Sequence, residues 1–404
     1  MADVTLGPGI VDYDASPQNP GDTIYLQNGN YTEIWFENIA GTEANPITIT
    51  NVGGLVDFTG AIEISFRECH NFRLMGNGVG GLTYGIKHCK VIHLYDHCKY
   101  FELAWLEGHT GHQCIHAKDD WDGEYTMEHV YIHNNYMHDG TGEAIYIGDS
   151  HYPDDVYLMN DVYIYDNLIE DYNAAIQVGS CWNDCYIYDN VMNRITPQGD
   201  PHNTHAAICI NHGTEVVCHG NVVRDCNGNG ILQNDAYRTH VFYQNLLVDC
   251  GHTLVTHPEC IKSYGDYNDF YNNTIIGADD YGIQCAGWAS HDQIYNNIIL
   301  DTVNASIEPG NNPGGQIHHN DTKEEGYVAA TYGFVNEPAG DYHLALGCDA
   351  IDAGVDAGLP YLGAAPDLGY AEYGSGGGGG GGDTLVHVTI MVLNPPITVA
   401  QDCD

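Results

Sequence analysis

The phrase VYIHNNYM at residues 130–137 recurs in close variants along the chain, and this recurrence decides the fold. Six further phrases align with it without gaps on one asparagine: VYIYDNLI (162–169), CYIYDNVM (185–192), VVCHGNVV (216–223), HVFYQNLL (240–247), DFYNNTII (269–276) and QIYNNIIL (293–300). The aligned residues are Asn135, Asn167, Asn190, Asn221, Asn245, Asn273 and Asn297. A short β-rich phrase that recurs every 23 to 32 residues predicts a solenoid.

A second short run of β-forming residues follows each aligned asparagine, as in AIYIG at 144–148 and AIQVG at 175–179. Each repeat therefore holds at least two short strands separated by turns. One repeat then forms one coil of a parallel β-helix, and the coils stack at roughly 4.8 Å. Because inward side chains stack on like side chains, the recurring Ile, Val and Leu are explained. We predict an all-β parallel β-helix.

The repeated asparagines are predicted to be structural. Asparagine tolerates the tight, left-handed backbone of a coil corner, and stacked amides can hydrogen-bond from coil to coil. Tyr131, Tyr163 and Tyr186 share one repeat position and alternate with apolar residues, so we expect an outward, stacked aromatic row. Such a row stabilises a sheet, and aromatic faces can also bind sugars or form protein interfaces.

The charge balance limits the possible partners. The chain has 404 residues, with 55 Asp and Glu against 11 Lys and Arg, and a net charge of −44. This excludes nucleic acid, whose binding needs clustered basic residues, and disfavours anionic membranes and polyuronates. The surface should attract cations such as Ca²⁺. No run is apolar enough for membrane insertion, and residues 1–20 lack a signal-peptide pattern, which favours a mature or recombinant form.

The chain has fourteen cysteines, and several of them fall at strand positions. Buried free thiols that pack as small apolar side chains are favoured over disulfides between coils, which would need an oxidising compartment.

The chain divides into five predicted segments. These are an N-terminal cap with its first strands (1–60), β-helix coils (61–300), C-terminal coils and a cap (301–373), a Gly-rich linker (374–382) and a β-prone segment (383–404). About twenty residues cannot bury a core alone. The last segment must therefore dock on its own solenoid, begin a larger domain, or pair with a neighbouring subunit. Pairing with a neighbour would build a filament.

Two repeats carry extra residues before their second strand, at 190–208 and 245–261. These insertions are predicted to emerge from the same corner, two coils apart. Loops on a rigid scaffold are where function concentrates. The catalytic candidates in these loops, or on the strand that follows, are His205, His257, Glu259 and Lys262.

An acidic stretch, HAKDDWDGEY at 116–125, is the candidate metal site. Alternating carboxylates can hold Ca²⁺ in a loop, although the pattern is not that of an EF-hand, and a solvated acidic turn is the alternative. The candidate ligands are Asp119, Asp120, Asp122 and Glu124. Nearby, His109, His112 and His116 share no helix face, so an incidental role is favoured over zinc binding.

Three stretches, GDTIYLQNGNYTE (21–33), NPITITN (45–51) and PDLGYAEYG (366–374), together with the repeats, resemble secreted proteins of the pectate-lyase-like superfamily. The resemblance covers about residues 10–373 and implies a right-handed parallel β-helix. Members include polysaccharide lyases, glycoside hydrolases, epimerases and non-enzymatic surface proteins, so the fold does not choose an activity.

The stretch ECIKSYGDYNDFYNNT at 259–274 is similar to the Lys-bearing strand of some β-helix lyases. This similarity implies Lys262 as the base that removes the proton α to a uronate carboxylate, with Ca²⁺ stabilising the resulting charge. Gln284 stands on the next coil where an arginine partner would be expected.

Two classes of function remain open. The first is an extracellular or cell-surface structural or adhesive protein, self-associating into filaments through 383–404. The alternative is a carbohydrate-active enzyme, either a polysaccharide lyase or a glycoside hydrolase, or a glycan-binding module without turnover.

Overall fold

The computed structural model describes residues 3–58, 63–76, 83–88, 90–118, 126–149, 159–181, 183–195, 206–211, 213–234, 238–252, 259–286, 291–310, 312–322 and 332–374. Within these ranges the regular structure is a set of strands, numbered β1 to β37 in chain order, and one 3₁₀ turn at Glu337–Ala339. The strands wind into a right-handed parallel β-helix with three faces, as predicted.

Faces A and B together form a sheet of 23 strands, in which the long strand β5 runs through both faces. Face A contains β1 (Val4–Leu6), β3 (Thr23–Asn30), β5 (Ile47–Phe58), β7 (His70–Met75), β10 (Lys99–Ala104), β13 (Met127–His133), β16 (Met159–Tyr165), β19 (Cys185–Tyr188), β22 (Val216–His219), β25 (Val241–Tyr243), β28 (Asp269–Tyr271), β31 (Gln293–Tyr295) and β34 (Gln316–His318). Face B continues with β8 (Ile86–His88), β11 (Leu106–His109), β14 (Tyr136–His138), β17 (Leu168–Glu170), β20 (Val191–Asn193), β23 (Val222–Cys226), β26 (Leu246–Cys250), β29 (Thr274–Ala278), β32 (Ile298–Thr302) and β35 (Asp321–Thr322).

Face C is a sheet of twelve strands. It contains β2 (Asp12–Asp14), β4 (Ile34–Glu37), β6 (Glu63–Arg67), β9 (Val91–Tyr95), β12 (Ile115–Ala117), β15 (Glu143–Gly148), β18 (Ala174–Gly179), β21 (Ala206–Ile210), β24 (Asn229–Gln233), β27 (Ile261–Ser263), β30 (Ile283–Cys285) and β33 (Ile307–Glu308). The first strands of faces A and C thus lie within residues 1–60, the range predicted as an N-terminal cap.

The core consists of inward columns with one side chain per coil. On face C, for example, six buried isoleucines pair in register: Ile145, Ile176, Ile208, Ile231, Ile261 and Ile283. Full burial of such a side chain contributes about 1.5–3 kcal/mol, so the columns dominate the stability. The twelve cysteines in the described ranges are free, and all of them except Cys348 are buried.

The predicted asparagine ladder lies at the corner between faces A and B. All seven side chains are at most 1% exposed, and each Nδ2 donates to the Oδ1 of the asparagine one coil further on, at 2.9–3.1 Å. The ladder continues to an eighth member, Asn320, that the sequence phrases did not identify. The left-handed backbone falls on the preceding residue, such as Asp166 (φ 53°) or Gln244 (φ 52°). The expectation that the ladder asparagine itself adopts it is therefore wrong.

The C-terminal described segment packs along the side of the solenoid. An antiparallel pair, β36 (Phe334–Asn336) and β37 (Asp341–Leu344), joins a cluster on the outer side of face B that includes Leu246, Ile276 and Leu300. The Tyr370 backbone N–H donates to Thr274 Oγ1 at 3.0 Å and ties the segment to face B. The linker and the predicted β segment at 383–404 lie outside the described residues.

Candidate functional site

A row of outward side chains runs along the middle of face C, one per coil, and we call it the face C strip. Its members pair in register: His93, His116, Tyr146, Gln177, Cys209, Leu232, Lys262, Gln284 and Glu308. At the coil spacing, the strip is roughly 38 Å long. Four consecutive members, Gln177, Cys209, Leu232 and Lys262, are at most 7% exposed.

Lys262, the predicted catalytic base, takes the outward position expected from the sequence. It is only 4% exposed, however, and its Nζ lies 3.1 Å from Oε1 of Glu259, which is 3% exposed. Lys262 also lies over the ring of Tyr264, at 5.5 Å from its centroid. The Lys262 amine, which proton abstraction would need, is therefore engaged in an ion pair. Lys262 is also not the solvent-exposed lysine that the alternative interpretation of this strand expects. Gln284 is its register partner on the next coil, as expected.

The two insertions do precede strands that lie two coils apart, because β21 pairs with β24 and β24 pairs with β27. The inserted residues themselves lie largely outside the described ranges. This applies to the candidate residues His205 and His257, and to the predicted Ca²⁺ ligands Asp119, Asp120, Asp122 and Glu124. Their roles stay predictions.

Buried polar atoms without a hydrogen-bond partner lie on the face C strip, at Gln177 and His116, and beside it, at Asn211. These are Oε1 of Gln177 (3% exposed), Nδ2 of Asn211 (7% exposed) and Nε2 of His116. Burial lowers the pKa of His116 to about 4, so its imidazole is neutral near pH 7. Nearly all buried polar groups in proteins are paired, and an exception calls for water, an ion or a ligand group. Sequence reasoning missed Gln177 and Asn211, because an isolated amide leaves no pattern.

The residues beside these polar atoms are either glycines or charged side chains that form ion pairs. Gly148 and Gly179 pair in register beside the strip, and both are buried. Two ion pairs lie toward the ends. Lys262 with Glu259 is buried, whereas in Lys118 with Asp149 the lysine is partly exposed and its Nζ lies 2.5 Å from Oδ2. Because each ammonium is balanced by a carboxylate, the arrangement favours an uncharged ligand that forms hydrogen bonds.

Face A carries the predicted aromatic row. The rings of Tyr131, Tyr163 and Tyr186 stack with centroids 5.0 and 5.2 Å apart, which confirms the prediction. A second row of eight rings was missed, although each ring stands two places before a ladder asparagine: His133, Tyr165, Tyr188, His219, Tyr243, Tyr271, Tyr295 and His318. Interior rings have both faces covered by neighbours, so they stabilise the sheet and do not bind sugars.

This second row makes stability depend on pH. Burial lowers the pKa of His219 to about 4, whereas an unfolded histidine titrates near 6.5. Between these values the unfolded chain binds the extra proton, so the stability contributed by neutral His219 is complete above about pH 6.5 and is lost as the pH falls toward 4. We expect His219→Tyr, which keeps a ring between Tyr188 and Tyr243, to remove about 1–3 kcal/mol of the acid destabilisation. Urea unfolding of both proteins at pH 7 and pH 4 measures this, and equal acid sensitivity would contradict it.

Within the described residues no helix is long and apolar enough to span a membrane. In the same ranges, no group of three or more His, Cys, Asp and Glu side chains is arranged to hold a metal ion.

Comparison with known proteins identifies the family. The family NosD, described as a periplasmic copper-binding protein, matches residues 123–334, which is more than half of the chain. The chain belongs to the NosD family. The comparison of this NosD-family chain with curated proteins gave no match.

The solved structures with a similar fold include two lyases and an epimerase module. The pectate lyase Pel9A is 12% identical over 92% of this chain and 97% of its own, with a TM-score of 0.42. A family PL6 polysaccharide lyase from Pseudopedobacter saltans is 13% identical over 80% and 94%, with a TM-score of 0.49. The mannuronan C-5 epimerase A-module of Azotobacter vinelandii is 11% identical over 74% and 90%, with a TM-score of 0.36. The likeness is one of fold alone.

NosD is described as copper-binding, but the described residues contain no set of side chains that fits a copper ion. Burial raises the pKa of the Cys209 thiol to about 12, which disfavours the thiolate that binds metal. The nitrogens Nδ1 of His318 and Nδ1 of His319 approach to 3.0 Å, but they supply two donors and interact with each other. We therefore assign no copper-dependent step to these residues.

Proposed function

We propose that this NosD-family chain is an exported glycan-binding protein that holds an uncharged, extended polysaccharide along the face C strip. The observation that carries the proposal is the set of buried, partnerless polar atoms on the outer side of face C, namely Gln177 Oε1, Asn211 Nδ2 and His116 Nε2. Hydroxyl groups of a sugar both donate and accept hydrogen bonds, so they can satisfy all three kinds of atom.

The charge distribution supports a neutral ligand. The two ion pairs along the strip cancel, and the net charge of −44 repels polyanions such as polyuronates. The periplasmic description of NosD supports export. Binding is favoured over cleavage because Lys262 and Glu259, the described members of the predicted catalytic set, are engaged with each other.

Two further hypotheses stay predictions. Self-association into filaments depends on residues 383–404, and Ca²⁺ binding depends on 119–124; both segments lie outside the described residues.

The test is a variant that separates binding from stability. Gln177→Met keeps the volume and removes a buried polar group without a partner, so it should raise the free energy of unfolding by about 1 kcal/mol. The same change should weaken binding of neutral oligosaccharides at least tenfold in titration calorimetry. The probes are hexasaccharides of cellulose, xylan and mannan, with polygalacturonate as the anionic comparison. Gln316→Met, on the exposed outer side of face A, is the matched control and should change neither quantity.

Failure of every neutral probe to bind, or equal binding by Gln177→Met, would contradict the proposal. Release of shortened or unsaturated oligosaccharides would instead establish the hydrolase or lyase alternative.

A further inference from the structure

A groove of about 320 Å³ opens on the outer side of face A, where both aromatic rows end. Tyr131 pairs in register with Glu102 on the preceding coil, and His133 pairs with Ala104. Neither Glu102 nor Ala104 is aromatic. Tyr131 and His133 are therefore end members of their rows, and both line the groove. Unlike the interior rings, each has one face that no ring of its own row covers. The volume is at the lower end of the range for small-ligand sites, roughly 300–1,000 Å³.

A second aromatic wall stands at the edge of the strands. The rings of Tyr100 and His129 stack at 4.6 Å, and both residues adopt left-handed backbone, with φ of 54° and 53°. The Tyr100 hydroxyl donates to Glu128 Oε2 at 2.9 Å, which fixes the ring. The groove is thus lined by two sets of aromatic rings, held by stacking and by a hydrogen bond.

An ion pair with exposed donors lies between these walls. Arg73 Nε lies 2.8 Å from Glu102 Oε2, and His133 Nε2 lies 3.0 Å from Glu102 Oε1. The hydrogen bond from His133, and then the charge of Arg73, hold the pKa of Glu102 below its usual range. The Arg73 side chain is 48% exposed, so its guanidinium can reach a ligand in the groove while the carboxylate fixes its position. Aromatic faces beside a fixed donor and a fixed acceptor are the combination that packs against a sugar ring and hydrogen-bonds its hydroxyls.

The local charge selects among sugars. Glu43 and Glu102 line the groove, and Glu128 lies against Tyr100, whereas Arg73 is the cationic side chain in the lining. An anionic pyranose such as a uronate is repelled, and a neutral or amino sugar is not.

We propose that this groove on face A is a second carbohydrate site, separate from the face C strip, that binds one pyranose unit without negative charge. The Tyr131 ring carries the stacking contact, and Arg73 with Glu102 contacts the hydroxyls. Such a site would keep the protein on a polymer independently of the face C strip.

Saturation-transfer NMR in the Gln177→Met background tests the second site alone. The probes are cellohexaose, mannohexaose, a chitosan hexamer and trigalacturonate. We expect transfer from the protein to at least one of the first three and at least tenfold weaker transfer to trigalacturonate. Tyr131→Ala should weaken binding at least tenfold. Tyr186→Ala is the matched control, because Tyr186 ends the same row at the opposite side and does not line the groove; its affinity should stay within twofold.

The possible outcomes separate this inference from the face C proposal. If Gln177→Met binds normally and Tyr131→Ala does not, the face A site stands and the face C proposal fails. Absence of transfer to all three of cellohexaose, mannohexaose and the chitosan hexamer, undiminished transfer to trigalacturonate, or an equal loss in Tyr131→Ala and Tyr186→Ala would overturn the face A site. Tyr131 and Tyr186 each stack on Tyr163 alone within their row, so both alanine variants should lose a similar amount of stability. Thermal unfolding of the two variants checks this.

Discussion

Replacing Asn221 with alanine is expected to lower the free energy of unfolding by about 3–5 kcal/mol. Asn221 is fully buried in the middle of the ladder. Its Nδ2 donates to the backbone oxygen of Ile187 at 2.8 Å and to Oδ1 of Asn245 at 3.1 Å, and its Oδ1 accepts from the Asn190 backbone N–H at 3.2 Å. Alanine leaves at least one buried donor and one buried acceptor unpaired, and each costs about 1–3 kcal/mol.

Urea unfolding of the wild type and Asn221→Ala measures this effect. Because a solenoid can open coil by coil, amide hydrogen exchange at Asn190 should report the local loss as well. Asn320→Ala is the control, since Asn320 makes the same ladder contact with Asn297 at 2.9 Å but is partly exposed, so water can replace the amide. A loss below about 1 kcal/mol in Asn221→Ala would show that the ladder is not a main source of stability.

The sequence could predict the solenoid because its core and its ladder recur once per coil. An inward isoleucine or a buried asparagine must stack on the same residue type in the next coil. The sequence therefore repeats these residues once per coil. Asn320 escaped detection because Thr322 stands two places after it, where the other ladder members have an apolar residue. The second aromatic row was equally periodic, but it contains both histidine and tyrosine and therefore does not repeat one residue type.

The candidate sites were less predictable, because they depend on contacts between coils and not on the period. The outward position of Lys262 follows from strand alternation, whereas its burial with Glu259 depends on packing around the strand. Gln177 looks like any outward glutamine in sequence, and only its lack of exposure and of a partner singles it out. Arg73 and Glu102 are 29 residues apart and meet only because their strands pair in register.

The second large expected effect concerns the ion pair of Lys262 and Glu259. Lys262→Met should destabilise the protein by about 3–5 kcal/mol, because it leaves a buried carboxylate without its countercharge. The double variant Lys262→Met/Glu259→Gln should recover to within about 1–2 kcal/mol of the wild type, since replacing a whole buried pair is often nearly neutral. The matched control is Lys87→Met, whose partner Glu107 lies 2.5 Å away with both side chains 22–26% exposed; it should cost about 1 kcal/mol or less.

Urea unfolding of the wild type, the single variants Lys262→Met and Glu259→Gln, and the double variant gives the coupling energy between Lys262 and Glu259. A coupling below about 1 kcal/mol would contradict the buried pair and would fit a solvent-exposed lysine instead. The same variants separate a structural Lys262 from a catalytic one. If Lys262 only maintains the pair, glycan binding returns with the fold in the double variant. If Lys262 is the base implied by the similarity to β-helix lyases, the double variant regains the fold and any glycan cleavage by the wild type stays lost, because neither methionine nor glutamine can accept the proton.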